Sequence, residues 1–330
     1  MLALLCANPP RLDLDYPEPR RAPGEVLLGL RLAGICDTDL QLARGYMGYR
    51  GVLGHEFVGE VLEAEQSALI GKRVVADINA SCGQCASCRR GDGHHCATRS
   101  VLGILGRDGA LAERLVMPAH TLVELPEHVP DERAVFAEPL AAALHVLHDL
   151  PDDSGPCVVL GDGKLGLLIA QALVSAGRRV VVVGHHENKL AIARRAGAEA
   201  LLERELGSDL VGVGAVVEAT GSASGLTRAF ALLRARGHLI LKTTIAGNTQ
   251  VDLSPIVINE LRVFGSRCGD MHEAVAALSR GLDPSGLIVA RYPLKRAVEA
   301  VAHAATPGTL KVVVRPGLTD PSSSEVAAAP

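Results

Sequence analysis

The chain has no tryptophan and few other aromatic residues: four tyrosines and four phenylalanines among 330 residues. It has no block of basic residues, and its net charge of −4 argues against nucleic acid or an anionic membrane surface as the main partner. No apolar run approaches the ~18 residues of a membrane-spanning helix, and the first residues lack the basic region of a signal peptide. These absences predict a cytoplasmic protein with a small-molecule partner and a core of aliphatic side chains.

What the sequence does have is length for roughly two domains and two successive patterns. Short strands separated by turns fill the first third, and helices then alternate with continuously apolar strands, which is typical of a parallel sheet covered on both faces. We therefore predict an α/β chain, with a β-rich part followed by a doubly wound parallel sheet. Strands are expected at 25–32, 57–64, 73–78, 111–117, 157–160, 179–183, 213–218, 238–241, 261–265 and 310–315. Helices are expected at 131–150, 164–176, 188–196, 223–234, 271–280 and 294–305, and residues 316–330 are expected to be disordered.

A glycine-rich turn, Gly161-Asp-Gly163-Lys164-Leu165-Gly166, follows a predicted strand and opens a predicted helix. The first glycine permits a tight turn, the second lets a pyrophosphate approach the backbone, and the third allows close packing of helix on strand. The free N–H groups at the start of the helix attract phosphate. In this context the pattern predicts binding of a dinucleotide, whereas the same glycines without a ligand would form a purely structural turn.

The acid that commonly binds the adenosine ribose is missing from the end of the next predicted strand, which reads Gly184-His185-His186. Without an acid there a 2′-phosphate is not repelled, and His185, His186 and Lys189 favour it. The sequence therefore favours NADP slightly over NAD. The alternative is that both histidines are solvated and NAD binds through other contacts.

Four of the eight cysteines lie within fifteen positions: Cys82, Cys85, Cys88 and Cys96. Four thiolates at this spacing predict a closed, tetrahedral, structural zinc site, in preference to an iron–sulfur cluster or free thiols. His94 and His95 lie inside the same loop and are expected to be solvated, because four cysteines already complete the zinc shell.

Three further residues could build a catalytic zinc site: Cys36, His55 and Glu138. A thiolate, an imidazole and a carboxylate with one open position suit such a site. Taken singly, however, a lone cysteine or histidine is more commonly a packed core residue.

The motifs together resemble the zinc-dependent medium-chain dehydrogenase/reductase family, which includes alcohol and polyol dehydrogenases. The resemblance covers almost the whole chain and rests on Gly34-Ile-Cys36-Asp-Thr38-Asp39, on Gly54-His55-Glu56-Phe-Val-Gly59, on the four-cysteine segment and on the glycine-rich turn. It implies a GroES-like catalytic domain made of residues 1–140 and 267–315, interrupted by a Rossmann domain of residues 141–266.

The resemblance also implies roles for individual residues. Cys36 and His55 would bind the catalytic zinc with a carboxylate from Glu56 or Glu138, Asp39 would orient the histidine, and Thr38 would carry the substrate proton. The cofactor would contact the glycine-rich turn and residues 216–221, including Thr220, and Lys311 would lie near the cofactor phosphates. One position departs from the family: Gln41 stands where a relay histidine is common, and its side chain does not titrate.

The expected function is reversible oxidation of a primary or secondary alcohol or polyol with transfer of a hydride to NAD(P), and with two zinc ions per chain. The alternatives are a carbonyl reductase or another redox step on the same scaffold, and a non-catalytic zinc protein that binds NAD(P). Family resemblance further implies a homodimer or homotetramer, paired through the strand at 261–265.

Overall fold

The computed structural model describes residues 1–151, 155–207, 210–244 and 250–317. The strands of this part are β1 (Ala3–Leu5), β2 (Arg11–Asp13), β3 (Glu25–Gly34), β4 (Glu56–Glu63), β5 (Arg73–Ala76), β6 (Asn79–Ala80), β7 (Ser100–Leu102), β8 (Gly106–Arg107), β9 (Arg114–Pro118), β10 (Leu122–Glu124), β11 (Cys157–Leu160), β12 (Val180–Gly184), β13 (Glu199–Leu202), β14 (Val213–Glu218), β15 (Leu233–Leu241), β16 (Arg262–Gly265), β17 (Ile288–Pro293) and β18 (Lys311–Arg315). Its α-helices are α1 (Asp37–Ala43), α2 (Ala86–Arg89), α3 (Asp131–Ala134), α4 (Ala137–Leu144), α5 (Lys164–Ser175), α6 (Glu187–Arg195), α7 (Ala223–Leu232), α8 (Ser254–Ile258), α9 (Met271–Ser279) and α10 (Ala297–Ala304).

The described residues form two compact units, Met1–Glu138 with residues 271–317, and Pro139–Asp270. The first unit is built on a seven-stranded sheet in the order β10-β5-β4-β3-β18-β17, with β9 also paired to β3. Side chains of β3 alternate between buried and partly exposed over most of its length, which is the period-two pattern of a strand with one face on a core. That core is aliphatic and includes Leu28, Leu115 and Val312.

The second unit is built on a six-stranded parallel sheet in the order β13-β12-β11-β14-β15-β16. Counted along the chain this is the order 3-2-1-4-5-6 of a doubly wound dinucleotide fold. The topology reverses between β11 and β14, and ligands of such folds bind at the carboxyl ends of the strands beside that reversal. The predicted α/β class, a β-rich part with a doubly wound parallel sheet, is confirmed.

Several predicted elements differ in detail from those of the structure. The helix expected at 131–150 is divided into α3, α4 and a 3-10 turn from His145 to Asp149. Pro139 accounts for the break between α3 and α4, because it has no N–H to donate to the preceding turn. The helix expected at 223–234 ends at Leu232, and β15 begins at once. β13, β17 and the short strands β2, β6, β7, β8 and β10 are not predicted. Residues 318–330 of the tail expected to be disordered lie outside the described residues.

No helix among the described residues combines the length and the apolar character needed to cross a membrane.

Candidate active site and cofactor turn

The first cluster of reactive side chains forms where β3 ends and β4 begins. These strands pair in antiparallel fashion with Gly34 opposite Glu56, so the residues leaving β3 and those entering β4 lie at the same edge of the sheet. Cys36 follows β3 and His55 precedes β4, and strand pairing therefore brings together two segments that are distant along the chain.

Three potential metal ligands meet at this edge. A ligand atom from each of Cys36, His55 and Glu56 lies within 4.8 Å of the others, and the histidine and glutamate are only 4% and 1% exposed. Sulfur, nitrogen and oxygen donors in one cluster suit zinc. Glu56 Oε1 is buried without a hydrogen-bond partner among the described residues, which is costly unless a cation or a donor satisfies it. The donor set and this unsatisfied oxygen fit a bound metal ion.

Asp39 contacts both of the segments that carry the potential metal ligands. Its Oδ2 accepts the backbone N–H of Cys36 at 2.8 Å, and its Oδ1 accepts the N–H of Gly54 at 3.1 Å and lies 3.2 Å from His55 Nδ1. The carboxylate is fully buried. A hydrogen bond at Nδ1 fixes the ring orientation and leaves Nε2 as the nitrogen that can bind a metal.

The electrostatics of this cluster favour a positive charge. Burial lowers the pKa of His55, but the negative charges of Asp39 and Cys36 outweigh burial and raise that pKa well above its usual value. Burial raises the pKa of Asp39, yet the charge of His55 and the backbone N–H groups lower it overall. The negative charge that faces the imidazole at this edge is the buried carboxylate of Asp39.

Lys311 occupies a different environment from the one predicted. It is 3% exposed, its Nζ forms an ion pair with Glu56 Oε2, and it lies 5.6 Å from the centre of the Phe136 ring. Gly34 makes room for this pair, since a Cβ at that position would lie 2.2 Å from Glu56 Oε2. The position assigned by sequence to cofactor phosphates is therefore a buried partner of Glu56, because β18 begins beside the same sheet edge.

Glu138 and Thr38 are two further predicted site residues, and neither belongs to the group of three close ligand residues. Desolvation raises the pKa of Glu138 to about 7; the charge of His55 opposes the shift, and that of Glu56 adds to it. Thr38 lies in the first turn of α1, with its hydroxyl 3.8 Å from Cys36 Sγ.

The four cysteines of the second cluster also come together. One sulfur from each of Cys82, Cys85, Cys88 and Cys96 lies within 4.8 Å of the others, and all four are free thiols. Two of the Sγ···Sγ separations are 3.5 and 3.9 Å, close to the ~3.8 Å of a tetrahedral site with 2.3 Å zinc–sulfur bonds. Hydrogen bonds from Thr98 and from the N–H of Cys82 lower the pKa of Cys96 to about 6, which favours the thiolate that binds metal.

His94 is not the solvated loop residue that the sequence predicts. Its Nε2 lies 2.8 Å from Asp77 Oδ2, and the other carboxylate oxygen of Asp77 accepts the backbone and side-chain N–H groups of Asn79. The imidazole therefore links the cysteine-rich loop to the segment after β5.

In the second unit, the glycine-rich turn joins β11 to α5 as predicted. Gly161 has φ +113°, and an added Cβ would lie 2.5 Å from the carbonyl oxygen of Ala219; a Cβ on Gly166 would lie 2.0 Å from Gly161 O. Gly163 has no atom within 4 Å of such a Cβ, so open space lies beside the start of α5, where Lys164 and Leu165 begin the helix. Two glycines are required by packing and the third leaves a cradle, which fits a phosphate at the helix N-terminus.

Thr220 follows β14 at the reversal of the sheet, where the sequence predicts a cofactor contact. Its backbone N–H and its hydroxyl both donate to Glu218 Oε1, at 2.8 and 2.6 Å. These bonds fix the shape of the turn after β14. A separate hydrogen bond from Ala219 N–H to Leu160 O holds this turn beside the glycine-rich turn.

The strand end that carries His185 and His186 is not free of negative charge. Asp162, from inside the glycine-rich turn, accepts hydrogen bonds at Oδ2 from the backbone N–H groups of both histidines and lies 3.0 Å from His186 Nδ1. His185 Nε2 lies 2.9 Å from Glu203 Oε2. A carboxylate therefore reaches this strand end from the neighbouring turn, although the strand itself ends without one.

Sequence reasoning missed three contributors: Asp162, Asp77 and the Lys311–Glu56 pair. Each acts through a partner that is remote in sequence. Gly184 was the available signal for Asp162, because a glycine at a buried strand end indicates the close approach of another group.

Two regions of the chain match known protein domain families. Residues 22–127 match the alcohol dehydrogenase GroES-like domain, and residues 165–282 match the zinc-binding dehydrogenase domain. The L-threonine 3-dehydrogenase of Chelativorans sp. strain BNC1 is 31% identical over 300 residues, covering 83% of this chain and 86% of that protein.

Two solved structures have closely similar folds. RspB of Escherichia coli CFT073, an alcohol dehydrogenase complexed with NADH, has a TM-score of 0.87 and 29% identity, covering 96% of this chain and 99% of the other. A zinc-binding dehydrogenase of Sinorhizobium meliloti 1021 bound to NADP has a TM-score of 0.85 and 28% identity, with the same coverage.

Proposed function

Because the chain belongs to the zinc-dependent medium-chain dehydrogenase/reductase family, we propose that it oxidises an alcohol or polyol reversibly to an aldehyde or ketone. The carbinol carbon loses a hydride to the nicotinamide of NAD(P), and the hydroxyl loses a proton. Primary and secondary alcohols, including polyols, form the substrate class.

The catalytic metal site in this proposal consists of Cys36, His55 and a carboxylate from Glu56 or Glu138. Zinc bound there would supply a Lewis acid that polarises the substrate oxygen and favours loss of its proton. Asp39 holds the imidazole in its ligand orientation, and Lys311 holds one oxygen of Glu56. The four cysteines would hold a second zinc ion in a closed shell, which suits a structural site.

Thr38 moves the substrate proton in this proposal. Its hydroxyl is both a donor and an acceptor, and it stands 3.8 Å from the ligand sulfur of Cys36. Gln41 carries an amide that does not titrate at the position where a relay histidine is common, so the proton leaves through water or a ribose hydroxyl.

We assign the dinucleotide to the turn of Gly161, Gly163 and Gly166, with its phosphates at the start of α5. Residues 141–266 form the proposed dinucleotide-binding domain, and residues 1–140 with 267–315 form the proposed catalytic domain. The open space beside Gly163 supports this assignment.

The observation that carries the proposal is the ligand cluster of Cys36, His55 and Glu56, oriented by the buried Asp39, in a chain that also carries a dinucleotide turn. The test is a matrix of alcohols and carbonyl compounds against NAD and NADP, followed by nicotinamide absorbance, with and without a chelator. We expect alcohol-dependent reduction that the chelator abolishes and added zinc restores.

Thr38→Val and Thr38→Ser form a matched pair for this assay. Valine removes the hydroxyl at constant volume and should abolish most turnover, whereas serine keeps the hydroxyl and should retain it. A zinc-loaded chain that reduces neither dinucleotide with any alcohol would refute the proposed activity.

We also propose that two copies pair along β16. This strand ends the six-stranded sheet, and nearby apolar side chains are exposed: Val257 and Ile258 at 76% and Val263 at 39%. An open edge with apolar neighbours favours pairing with a second copy. Sedimentation of the wild type and of Val263→Lys tests this; a monomeric wild type contradicts it.

A further inference from the structure

β12 carries no acid of its own at the place where dinucleotide folds recognise the adenosine ribose. In such folds an Asp or Glu at the end of the second strand accepts a hydrogen bond from the ribose 2′-hydroxyl. Here the second strand is β12, which ends at Gly184 and continues into His185 and His186.

Asp162 fills this place from the neighbouring strand-to-helix turn. Its side chain is 8% exposed, and its Oδ2 lies 2.8 Å from His185 N and 2.7 Å from His186 N. An added Cβ on Gly184 would lie 2.5–2.6 Å from Asp162 Cβ, Cγ and Oδ2. Any larger residue at 184 would displace the carboxylate, so Gly184 and Asp162 form one built arrangement at the end of β12.

The second oxygen of this carboxylate is available to a ligand. Among the described residues, the hydrogen bonds of Asp162 all involve Oδ2 and leave Oδ1 without a partner. An ionised carboxylate only accepts hydrogen bonds. Burial raises the pKa of Asp162, but the hydrogen bonds from His186 and His185 lower it overall, so the group is charged at neutral pH and suits a hydroxyl donor.

The two histidine rings at this strand end are already engaged, and the lysine on the following helix is buried. The His186 ring contacts Asp162 itself, and the His185 ring contacts Glu203. Lys189 is 7% exposed. A 2′-phosphate would therefore meet a fixed negative charge without an uncommitted histidine to offset it, and unfavourable contacts of this kind are a common basis of discrimination.

We propose that Asp162 is the ribose-recognising carboxylate of this chain, and that it selects NAD over NADP. The inference rests on the proposed function only in requiring that the glycine-rich turn bind a dinucleotide. It reverses the slight preference for NADP that the sequence suggests, because the acid comes from the first turn and not from the strand end.

The test measures dissociation constants of NADH and NADPH by nicotinamide fluorescence, on the full-length, zinc-loaded chain without substrate. We expect the wild type to bind NADH more tightly by at least about tenfold, the factor given by one hydrogen bond to a charged group. Asp162→Asn and Asp162→Ala should reduce this ratio at least about tenfold, mainly by weakening NADH. Glu187→Gln is the matched control. It removes an exposed acid at the start of α6 that pairs with Arg194 of the same helix, and it should leave the ratio of the two dissociation constants unchanged.

Because Asp162 is buried, its variants are also checked by thermal unfolding and zinc content. A measurement that needs no variant is competition by ADP and by 2′-phosphorylated ADP on the wild type, where ADP should bind more tightly. A wild type that prefers NADPH or 2′-phosphorylated ADP, or folded Asp162 variants that keep the wild-type ratio, would overturn the inference and leave the proposed function intact. Failure of the wild type to bind either dinucleotide would overturn the proposed function.

Discussion

The buried ion pair between Lys311 and Glu56 gives a prediction about stability. The side chains are 4% and 1% exposed, and Glu56 Oε1 has no hydrogen-bond partner among the described residues. Lys311→Met keeps much of the side-chain volume and removes the charge that offsets the desolvated carboxylate. Breaking a buried pair from one side costs about 3–5 kcal/mol, so we expect that loss in the free energy of unfolding.

Two comparison variants show whether the loss comes from burial. Lys72→Met removes a lysine whose ion pair with Glu124 is exposed, at 46% and 52%, and should cost less than about 1 kcal/mol. The double variant Glu56→Met/Lys311→Met removes both charges and should recover most of the loss, because replacing both partners by apolar groups is often close to neutral.

The assay is urea unfolding of the zinc-loaded protein, followed by circular dichroism. The coupling between positions 56 and 311 comes from the double-mutant cycle. If Lys311→Met destabilises no more than Lys72→Met, or if the double variant is no better than Lys311→Met, then the reasoning from a buried, mutually dependent pair is refuted.

Two further predictions concern the metal sites. Asp39→Asn should lower catalytic zinc affinity or activity by about 10–100-fold, because the amide orients His55 less well, while the structural zinc stays bound. Zinc titration and steady-state kinetics on the same preparation check this. Wild-type values in both measurements would contradict it. Cys82→Ser should release the structural zinc and expose the loop from Cys82 to Cys96 to proteolysis, because three thiolates leave the tetrahedral site incomplete. Metal analysis with limited proteolysis checks this. Cys6→Ser, which lies outside both clusters, is the control and should behave as wild type.

The alternation of apolar strands and helices in the second unit was predictable because buried parallel strands are continuously apolar. β11 and β14 lie where the sequence predicts them, since Cys157–Leu160 and Val213–Glu218 are buried along their whole length. β13 was missed because its sequence, Glu-Ala-Leu-Leu, contains no β-branched residue and serves a helix equally well.

The remote partners were not predictable from local pattern. Lys311 and Glu56 are 255 positions apart, and only the pairing of β18 with β3 brings them to one edge of the sheet. Asp162 lies inside the glycine-rich turn, where the glycine spacing carries the motif and the residue between the glycines can vary. Its carboxylate reaches the end of β12 only because Gly184 has no side chain in the way. The motifs indicate which residues form the two metal-ligand clusters. The charged residues that contact each cluster can be identified only from the folded structure.

The central claim is that one of two zinc sites, built on Cys36, performs the alcohol oxidation. The most direct measurement is zinc content together with alcohol-dependent reduction of NAD(P) for the wild type and Cys36→Ser. We predict two zinc ions per chain and turnover for the wild type, and one zinc ion, a folded chain and no turnover for the variant. Full activity of Cys36→Ser would contradict the account.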